Sequence, residues 1–384
     1  KAASRANKNE KAILTVKYKK LRNLCNRLTK RDVRAAAAER ILASNDPSAI
    51  WREVKNVTNP TRNNSITLSV NGSEIEREEE VANTFNEHFR EKINKLRECL
   101  DMSETENPTS RLKEKIHGNQ KKHFELRPVS EKEVFKAITS LKPKKSAGLD
   151  GVSQELVISM TSVIKLPLKH IINTSIRSGI FPTAWKKSRI VPLFKKGDPK
   201  LPGNYRPVSC VPSVSKALES VVEKQLRDFF EKKQLLPNNQ HGFRKNRSTV
   251  TALASIIAEW SANHERGEHT GVLLWDLSSA FDTIDVDLLC EKMSLYGVGS
   301  RSVKWLRSFL TNREQRVQVG SKLSEPITTS IGCPQGSLLS PLIFIIYIAD
   351  IDLWLDEVKS SGYADDTITS YSSKNEDTLI KKLE

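Results

Sequence analysis

Residues 361–370 read SGYADDTITS, and two strand-like runs in this stretch meet at Ala364-Asp365-Asp366. The residues on both sides of the acidic pair favour strands, so the stretch predicts a β-hairpin with two carboxylates at its turn. Two unit charges about 4 Å apart repel by roughly 4 kcal/mol at an effective dielectric constant near 20. The pair is therefore either well solvated or held by a counter-charge, and the hairpin alone leaves both alternatives open.

A further acidic position follows an apolar run within residues 271–285, GVLLWDLSSAFDTID. The run from Gly271 to Trp275 has the character of a strand buried on both faces, and Asp276 ends it. A carboxylate at the end of a buried strand needs a partner, and this segment offers none, which indicates a functional site. An EF-hand loop beginning at Asp276 is excluded, because Phe281 stands where that loop needs glycine.

If the hairpin lies beside that strand, the carboxylates of Asp276, Asp365 and Asp366 converge. Three such groups repel one another unless cations lie between them. We therefore expect two Mg2+ ions about 3.5–4 Å apart, with Mn2+ as a substitute. One ion would activate an attacking hydroxyl group, and the other would hold phosphates and the leaving oxygen.

The composition of the chain restricts its partners. The 384 residues include 62 Lys and Arg against 46 Asp and Glu, which gives a formal charge of +16. A basic surplus of this size favours polyanions, most simply nucleic acid. The five cysteines form no CxxC pair or Cys/His cluster, which argues against zinc and favours an intracellular location, in the nucleus or the cytoplasm.

No segment predicts a membrane span or an ATPase phosphate loop. The longest apolar run, Pro341 to Ala349, is too short to cross a bilayer, so we expect no membrane partner. The run predicts a buried helix with Ser340 as its N-cap and Pro341 as its first residue. The pattern GxxxxGK[ST] does not occur in the sequence.

Residues 1–125 predict a basic, mainly helical N-terminal region. Apolar side chains recur at helical spacing from Ile13 to Leu28, and another helical region is expected around Glu76 to Leu100. The basic helices within residues 1–45 are either an arm that contacts nucleic acid or a solvated helix pair. Both interpretations stay open.

Local signals after residue 125 predict both helices and strands. Ser130 and Glu133 form a capping box at the start of a helix. Arg189 to Phe194 has the character of a strand, and Val214 to Leu226 has helical spacing.

A basic loop at residues 240–249, QHGFRKNRST, precedes an apolar helix whose N-cap is Ser248 or Thr249. Its cationic side chains are Arg244, Lys245 and Arg247. Basic groups at a helix N-terminus suit a triphosphate or a nucleic-acid backbone. A solvated basic turn explains them equally well on this pattern alone.

Seven motifs follow one another along residues 125–384: KPKKSAGLDGV, IVPLFKKGDP, NYRPVS, QHGFRKNRST, LLWDLSSAFDTID, GCPQGSLLSPLIF and YADD. In this order they resemble the reverse transcriptases of non-LTR (LINE-type) retrotransposons, and the jockey-like elements in particular. Each motif alone is weak, and the specificity of the resemblance comes from their order.

The resemblance implies roles for individual positions. Asp276, Asp365 and Asp366 are implied to be the catalytic, metal-binding carboxylates. Phe281 is implied to be the aromatic steric gate against a ribose 2′-OH, with an ordinary core aromatic as the alternative. The remaining implied nucleotide-binding or template-binding positions are Gln335 and Gly336, which follow Pro334, and the basic residues Arg244, Arg247, Arg189 and Lys195.

The fold class implied is α+β, a right-hand polymerase with fingers and palm and without the thumb. We expect a linker at residues 1–125, fingers at 126–270 and a truncated palm at 271–384, which ends soon after the YADD hairpin. The implied partners are an RNA template, a DNA primer and dNTPs, with an endonuclease domain upstream in the full polyprotein.

Two other functions stay open. One is a catalytically incompetent retroelement remnant that binds nucleic acid, although all three aspartates are present. The other is an enzyme of the group II intron type or another RNA-templated polymerase.

Overall fold

Helices and short strands alternate along the computed structural model, which describes residues 8–43, 51, 66–70, 72–98, 106–116 and 123–383. Contacts between residues divide the chain into two units, residues 1–65 and 66–384. Within the first unit the described part is essentially one helix, α1 (Lys8–Leu42). Its apolar side chains Val16, Leu21, Leu24 and Leu28 are exposed. The predicted basic helix is thus present as one continuous element.

The described helices of the second unit are α2 (Glu78–Glu98), α3 (Ser110–Ile116), α4 (Glu131–Thr139), α5 (Gln154–Ser159), α6 (Thr161–Ser178), α7 (Ser215–Lys232), α8 (Thr249–Glu265), α9 (Val286–Leu295), α10 (Ser300–Leu310), α11 (Ser340–Tyr347) and α12 (Glu376–Leu383). Its strands are β1 (Leu68–Val70), β2 (Ser73–Ile75), β3 (Lys187–Phe194), β4 (Tyr205–Cys210), β5 (His269–Asp276), β6 (Arg313–Val319), β7 (Lys322–Leu323), β8 (Ile327–Thr329), β9 (Lys359–Tyr363) and β10 (Asp366–Ser373).

The strands form one hairpin and two larger sheets. β1 pairs with β2, while β5, β10 and β9 form a three-stranded antiparallel sheet in that order. A five-stranded sheet has the order β4-β3-β6-β7, with β8 also paired to β6. The expected mixture of helix and sheet is confirmed.

The prediction that the apolar run before Asp276 is buried on both faces is wrong. In β5 the side chains of Leu274 and Trp275 are 80% and 51% exposed. β5 is an edge strand that pairs only with β10, and α12 approaches its first half, where Gly271 faces Leu379 and Leu383. Hydrophobicity alone does not reveal whether a strand is covered on both faces, because cover comes from distant elements.

One large apolar core joins most helices of the second unit. Within it, the rings of Trp305 and Phe309 stack with centroids 5.7 Å apart, and Phe181 meets Phe309 edge-on at 5.0 Å. Cys333 and Leu339 are buried in the same core. The loop between these two residues is therefore anchored at both ends.

A smaller core lies between α2 and the five-stranded sheet. Leu68, Phe85 and Phe89 pack there against Ile190 of β3 and Val317 of β6. α2, which lies in the predicted linker region, thus belongs to the same unit as the sheet. The five-stranded sheet also crosses the predicted division at residues 270 and 271, because β6 pairs with β3. The domain boundaries stay predictions.

Of the three helix N-termini for which the sequence predicts a cap, two are confirmed and one is wrong. The capping box of Ser130 and Glu133 is confirmed, and Ser248 is the N-cap of α8. The N-cap predicted for α11 is wrong, because the helix already includes Ser340 and Leu339 takes the cap position. The Ser340 hydroxyl instead donates to the Pro334 carbonyl at 3.1 Å. A tertiary contact therefore replaces the local cap.

Within the described ranges, no helix has both the length and the apolar character needed to cross a membrane. Four cysteines in those ranges, Cys25, Cys210, Cys290 and Cys333, have free thiols. Cys99 lies outside the described residues.

Candidate active site

Asp276 and Asp366 are directly opposite each other in the register of β5 and β10. Opposed residues of an antiparallel pair project to the same face, with Cβ atoms about 4.5–5.5 Å apart. The carboxylates therefore share one face at the end of the three-stranded sheet, and both residues are exposed. The position of the hairpin beside the strand that ends at Asp276 is the one expected from the sequence.

The turn between β9 and β10 contains only Ala364 and Asp365. Ala364 has a φ of +62°, which lies in the left-handed region that L residues other than glycine seldom adopt. Asp365 is half-buried and directly precedes Asp366. The turn thus brings the third predicted aspartate next to the opposed pair.

The donor set fits Mg2+. This ion prefers carboxylate oxygens, and protein sites often supply one or two carboxylates while water and substrate phosphates complete its coordination. Two aspartates on one sheet face meet that requirement. In the described part of the chain, however, no three or more His, Cys, Asp or Glu side chains are grouped closely enough to hold a metal by themselves.

Phe281 is partly buried and packs against the helical core. Its ring stacks on Phe344, with centroids 5.0 Å apart, and meets Phe243 edge-on at 6.0 Å. The Phe281 carbonyl accepts a hydrogen bond from the Cys333 N–H at 2.8 Å. The ring remains partly exposed, so its environment suits both a core aromatic and the wall of a pocket.

Gln335 and Gly336 lie in the loop before α11, against the edge of β4. The Gln335 carbonyl accepts from the Ser209 N–H at 2.8 Å. Gly336 has a φ of +129°, and a Cβ atom there would lie 2.2 Å from the Ser209 carbonyl oxygen. Only glycine fits this conformation and this close approach.

Asp282, which is not among the predicted site residues, holds the side chain of Gln335. The Gln335 Nε2 donates to Asp282 Oδ2 at 2.5 Å, beside a cavity of about 80 Å³. Burial raises the pKa of Asp282 to about 6, although the bond from Gln335 opposes the shift. Its place directly after Phe281 is the only signal in the sequence that could have drawn attention to it.

Glu219 of α7 binds the same loop before α11 through hydrogen bonds. Its carboxylate accepts from the Ser337 hydroxyl at 2.6 Å, the Leu338 N–H at 2.8 Å and the Ser215 hydroxyl at 2.9 Å. The residue is almost completely buried. Nothing in the helical pattern of α7 distinguishes this glutamate from its neighbours, so sequence reasoning had no signal for it.

The two predicted arginines near α8 are engaged within the protein. Arg244 makes two bonds to Glu231, at 2.6 and 3.1 Å, and one to the Pro237 carbonyl, and its side chain is 8% exposed. Arg247 donates to the Asn238 carbonyl, and burial lowers the pKa of its guanidinium.

Two predicted basic residues lie in β3 and just after it, and they differ in their contacts. Arg189 donates to Gln318 Oε1 at 2.6 Å and to the Ala147 carbonyl at 2.7 Å. Lys195 is exposed just after β3. The structure thus places Asp276 opposite Asp366 at the sheet end, with Asp365 next to Asp366 in the turn. The guanidinium groups of Arg189, Arg244 and Arg247 make hydrogen bonds to other groups of the protein.

The second unit mixes helices and sheets, and Asp276 and Asp366 lie opposite each other at the end of one sheet. Residues 194–384 match the family described as reverse transcriptase (RNA-dependent DNA polymerase). These residues therefore form a domain of the reverse transcriptase family.

Several curated relatives carry names of the same kind. The chain is 29% identical, over 92% of its length, to the probable RNA-directed DNA polymerase from transposon BS of Drosophila melanogaster. It is 24% identical, over 85% of its length, to the probable RNA-directed DNA polymerase from transposon X-element of the same species. It is 30% identical, over 62% of its length, to the RNA-directed DNA polymerase from mobile element jockey of Drosophila funebris. The chain spans 39%, 36% and 27% of these relatives, respectively.

Proposed function

We propose that this chain is the RNA-directed DNA polymerase portion of a non-LTR retrotransposon, and that Asp276, Asp365 and Asp366 are its catalytic carboxylates. The observation that carries the proposal is the direct opposition of Asp276 and Asp366 in a domain of the reverse transcriptase family. Like charges placed opposite each other destabilise a strand pair, so their presence at a sheet end favours a role in binding cations.

The reaction would be in-line attack of a primer 3′-OH on the α-phosphate of a dNTP, directed by an RNA template. Two Mg2+ ions, with Mn2+ as a substitute, would supply positive charge to the attacking and leaving oxygens when bound. The three aspartates would hold that charge at the sheet end. Catalysis would come from positioning and electrostatics, because no covalent intermediate is required.

Other side chains would select and orient the nucleotide. Phe281 would exclude a ribose 2′-OH, and Gln335 and Gly336 would line the pocket for the nucleotide and template. Lys195 would contact phosphates, and its exposed position supports this role. Arg189, Arg244 and Arg247 remain candidates for the same role, although each would first have to exchange its present partners for phosphate.

We propose a right-hand polymerase arrangement for the second unit. The sheet of β5, β10 and β9 would belong to the palm, and the sheet built on β3 and β4 to the fingers. RNA template, DNA primer and dNTPs would be its partners, in the nucleus or the cytoplasm. An endonuclease domain would lie upstream in the full polyprotein.

Primer extension tests the proposal. The wild-type chain, Asp365→Asn and the control Asp377→Asn are each given a primed RNA template, dNTPs and Mg2+. Asp377 is an exposed aspartate in the first turn of α12, so its substitution removes the same charge away from the turn. We expect incorporation by wild type and Asp377→Asn and none by Asp365→Asn. RNA binding by all three chains without any synthesis would favour the nucleic-acid-binding remnant instead.

A further inference from the structure

The segment of residues 239–242, Asn-Gln-His-Gly, lies against the hairpin that carries the acidic turn. The His241 N–H donates to the Gly362 carbonyl at 2.7 Å, and the Gly362 N–H donates to the Asn239 carbonyl at 2.9 Å. These two bonds make a parallel bridge between Gln240 and Gly362. The main chain of the segment is therefore fixed to β9 just before the turn.

The side chain of Gln240 continues this contact into the turn itself. Its Oε1 accepts from the Ala364 N–H at 3.1 Å, and its Nε2 donates to the Ala364 carbonyl at a longer 3.4 Å. The same Oε1 accepts from the Gly242 N–H at 2.7 Å. Gln240 is only 4% exposed. One buried amide thus binds both backbone polar groups of Ala364.

Those two backbone groups belong to the peptide planes on either side of Ala364. The Ala364 carbonyl lies in the same planar unit as the Asp365 N–H, so holding its oxygen restricts the orientation of Asp365. Asp276 and Asp366 are held differently, because both lie within the paired strands. Asp365 lies in the turn, outside that ladder. Its direction therefore depends on what holds the turn.

The turn needs such support because of its backbone conformation. Ala364 has a φ of +62°, and the left-handed conformation costs an L residue about 1–2 kcal/mol. Such a conformation persists only where surrounding contacts determine it. The bonds from Gln240 are contacts of this kind.

Gly242 allows the segment of residues 239–242 to lie close to the Ala364 backbone. A Cβ atom at this position would lie 2.0 Å from the Ala364 nitrogen and 2.7 Å from its Cα. Both are main-chain atoms, which cannot move aside without displacing the turn. Gly242 and Gln240 therefore support the turn together.

We propose that Gln240 is a positioning residue that holds Asp365 in the orientation needed to bind a divalent cation. This proposal rests on the metal-binding role given above to the three aspartates. Gln240 would act through the Ala364 backbone and would touch neither substrate nor metal.

The test measures Mn2+ binding to the full chain by electron paramagnetic resonance, without nucleotide or primer. Gln240→Met removes the amide oxygen and the amide nitrogen and keeps an unbranched side chain. The matched control is Gln225→Met, because Gln225 accepts from the Arg127 N–H at 2.9 Å and donates to the Arg127 carbonyl at 3.0 Å. We expect the dissociation constant to rise about fivefold to tenfold in Gln240→Met, which corresponds to the loss of about one net hydrogen bond. Gln225→Met should stay within about twofold of wild type.

A second variant separates positioning from stability. Gly242→Ala forces the turn away from the segment while leaving Gln240 in place, so it should also weaken Mn2+ binding in protein that circular dichroism shows to be folded. In an Asp365→Asn background, adding Gln240→Met should produce no further weakening, because the ligand it positions is already lost. If folded Gln240→Met binds Mn2+ like wild type, Gln240 is merely structural and the proposal is overturned.

Failure of the proposed function has a different signature. In that case wild type and Asp365→Asn would bind Mn2+ equally, and neither would extend a primer. Wild-type binding that depends on Asp365 but is unchanged in Gln240→Met would overturn the role of Gln240 alone.

Discussion

Asp276 and Asp366 face each other across β5 and β10, on one side of the sheet and at its end. Like charges directly opposite in an antiparallel pair destabilise it, by a fraction of 1 kcal/mol up to roughly 1 kcal/mol. A bound divalent cation would convert this repulsion into attraction to a shared ion. The stability of the fold should therefore depend on the metal and on both carboxylates.

The first prediction concerns Asp366→Asn. Without metal, the variant should be more stable than wild type by roughly 0.2–1 kcal/mol, because one of two opposed charges is gone. Urea unfolding in EDTA measures this difference. With Mg2+, wild type should gain stability and the variant should gain less, since an ion that binds only the folded state shifts unfolding by mass action. Primer extension by the variant should fall on the order of a hundredfold or more.

Asp377→Asn is the control, because its carboxylate is exposed on α12. It should match wild type in both unfolding experiments. A loss of stability of Asp366→Asn in EDTA would contradict the repulsion argument.

The second prediction concerns the buried carboxyl of Asp282. Its pKa of about 6 lies above the ordinary value of 3.8, so between these pH values the folded chain keeps a proton that the unfolded chain has lost. Stability should therefore fall as the pH rises from about 4 through about 6, by roughly 3 kcal/mol at most. Asp282→Asn should remove this fall, so the variant should be the more stable protein at pH 8. Urea unfolding between pH 4.5 and pH 8 measures the difference.

Asp285 provides a control of opposite sign. Burial alone would raise the pKa of Asp285, but hydrogen bonds from the Leu288 N–H and from Arg97 outweigh burial and lower the pKa. Its contribution to stability is present above the unfolded pKa and lost as the pH falls, so Asp285→Asn should be less stable than wild type at pH 8. Equal pH profiles for wild type and Asp282→Asn would contradict the assignment to Asp282.

The third prediction decides between the two roles of Phe281. If the ring is a steric gate, Phe281→Ala should lower the preference for dNTP over rNTP at least about tenfold, because a wall beside the sugar is lost. If the ring only fills the core, stability should fall and the preference should stay unchanged. Competitive incorporation of dCTP and CTP on one template measures the preference, and urea unfolding measures the stability.

Phe309→Leu is the control for lost ring packing, because Phe309 is buried against Phe181 and Trp305. It should cost stability without altering sugar preference. A similar change of preference in both variants would show that general loosening of the fold, and not the gate, is responsible.

The fourth prediction concerns Glu219 below the Gln335 loop. Glu219→Ala leaves the buried Ser337 hydroxyl and the partly buried Leu338 N–H without their acceptor. An unpaired polar group costs about 1–3 kcal/mol where it is fully buried and less where it is partly solvated. We expect a loss of roughly 2–4 kcal/mol in the free energy of unfolding. The KM for dNTP should rise as well, because the loop that presents Gln335 is no longer held. Urea unfolding and single-nucleotide kinetics provide the two measurements.

Glu223→Ala is the matched control on the same helix. Glu223 pairs with Arg227 one turn away on α7, and a pair of this kind contributes only about 0.3–0.5 kcal/mol. Its removal should leave the KM unchanged. An equal rise of KM in both variants would contradict a specific role of Glu219.

Much of the local structure could be predicted because its causes lie within a few residues. The capping box of Ser130 and Glu133 and the N-cap Ser248 involve groups one helical turn apart. The hairpin with Asp365 at its turn follows from two strand-forming runs separated by a short break. The three aspartates could be selected as candidates because two of the ordered motifs that resemble reverse transcriptases contain them.

The sequence by itself determined these local elements, the basic surplus and the ordered motifs of a reverse transcriptase, because each is a property of neighbouring residues or of residue type. Only the tertiary structure decided the register that places Asp366 opposite Asp276, the exposure of Leu274, the pairing of Arg244 with Glu231 and the support of Ala364 by Gln240. Each of these features depends on which distant element packs alongside. The local sequence of an apolar run or a polar side chain is the same whether or not such an element covers it. The physical reason is that burial and hydrogen-bond partners arise from long-range packing, which local propensity and periodicity do not encode.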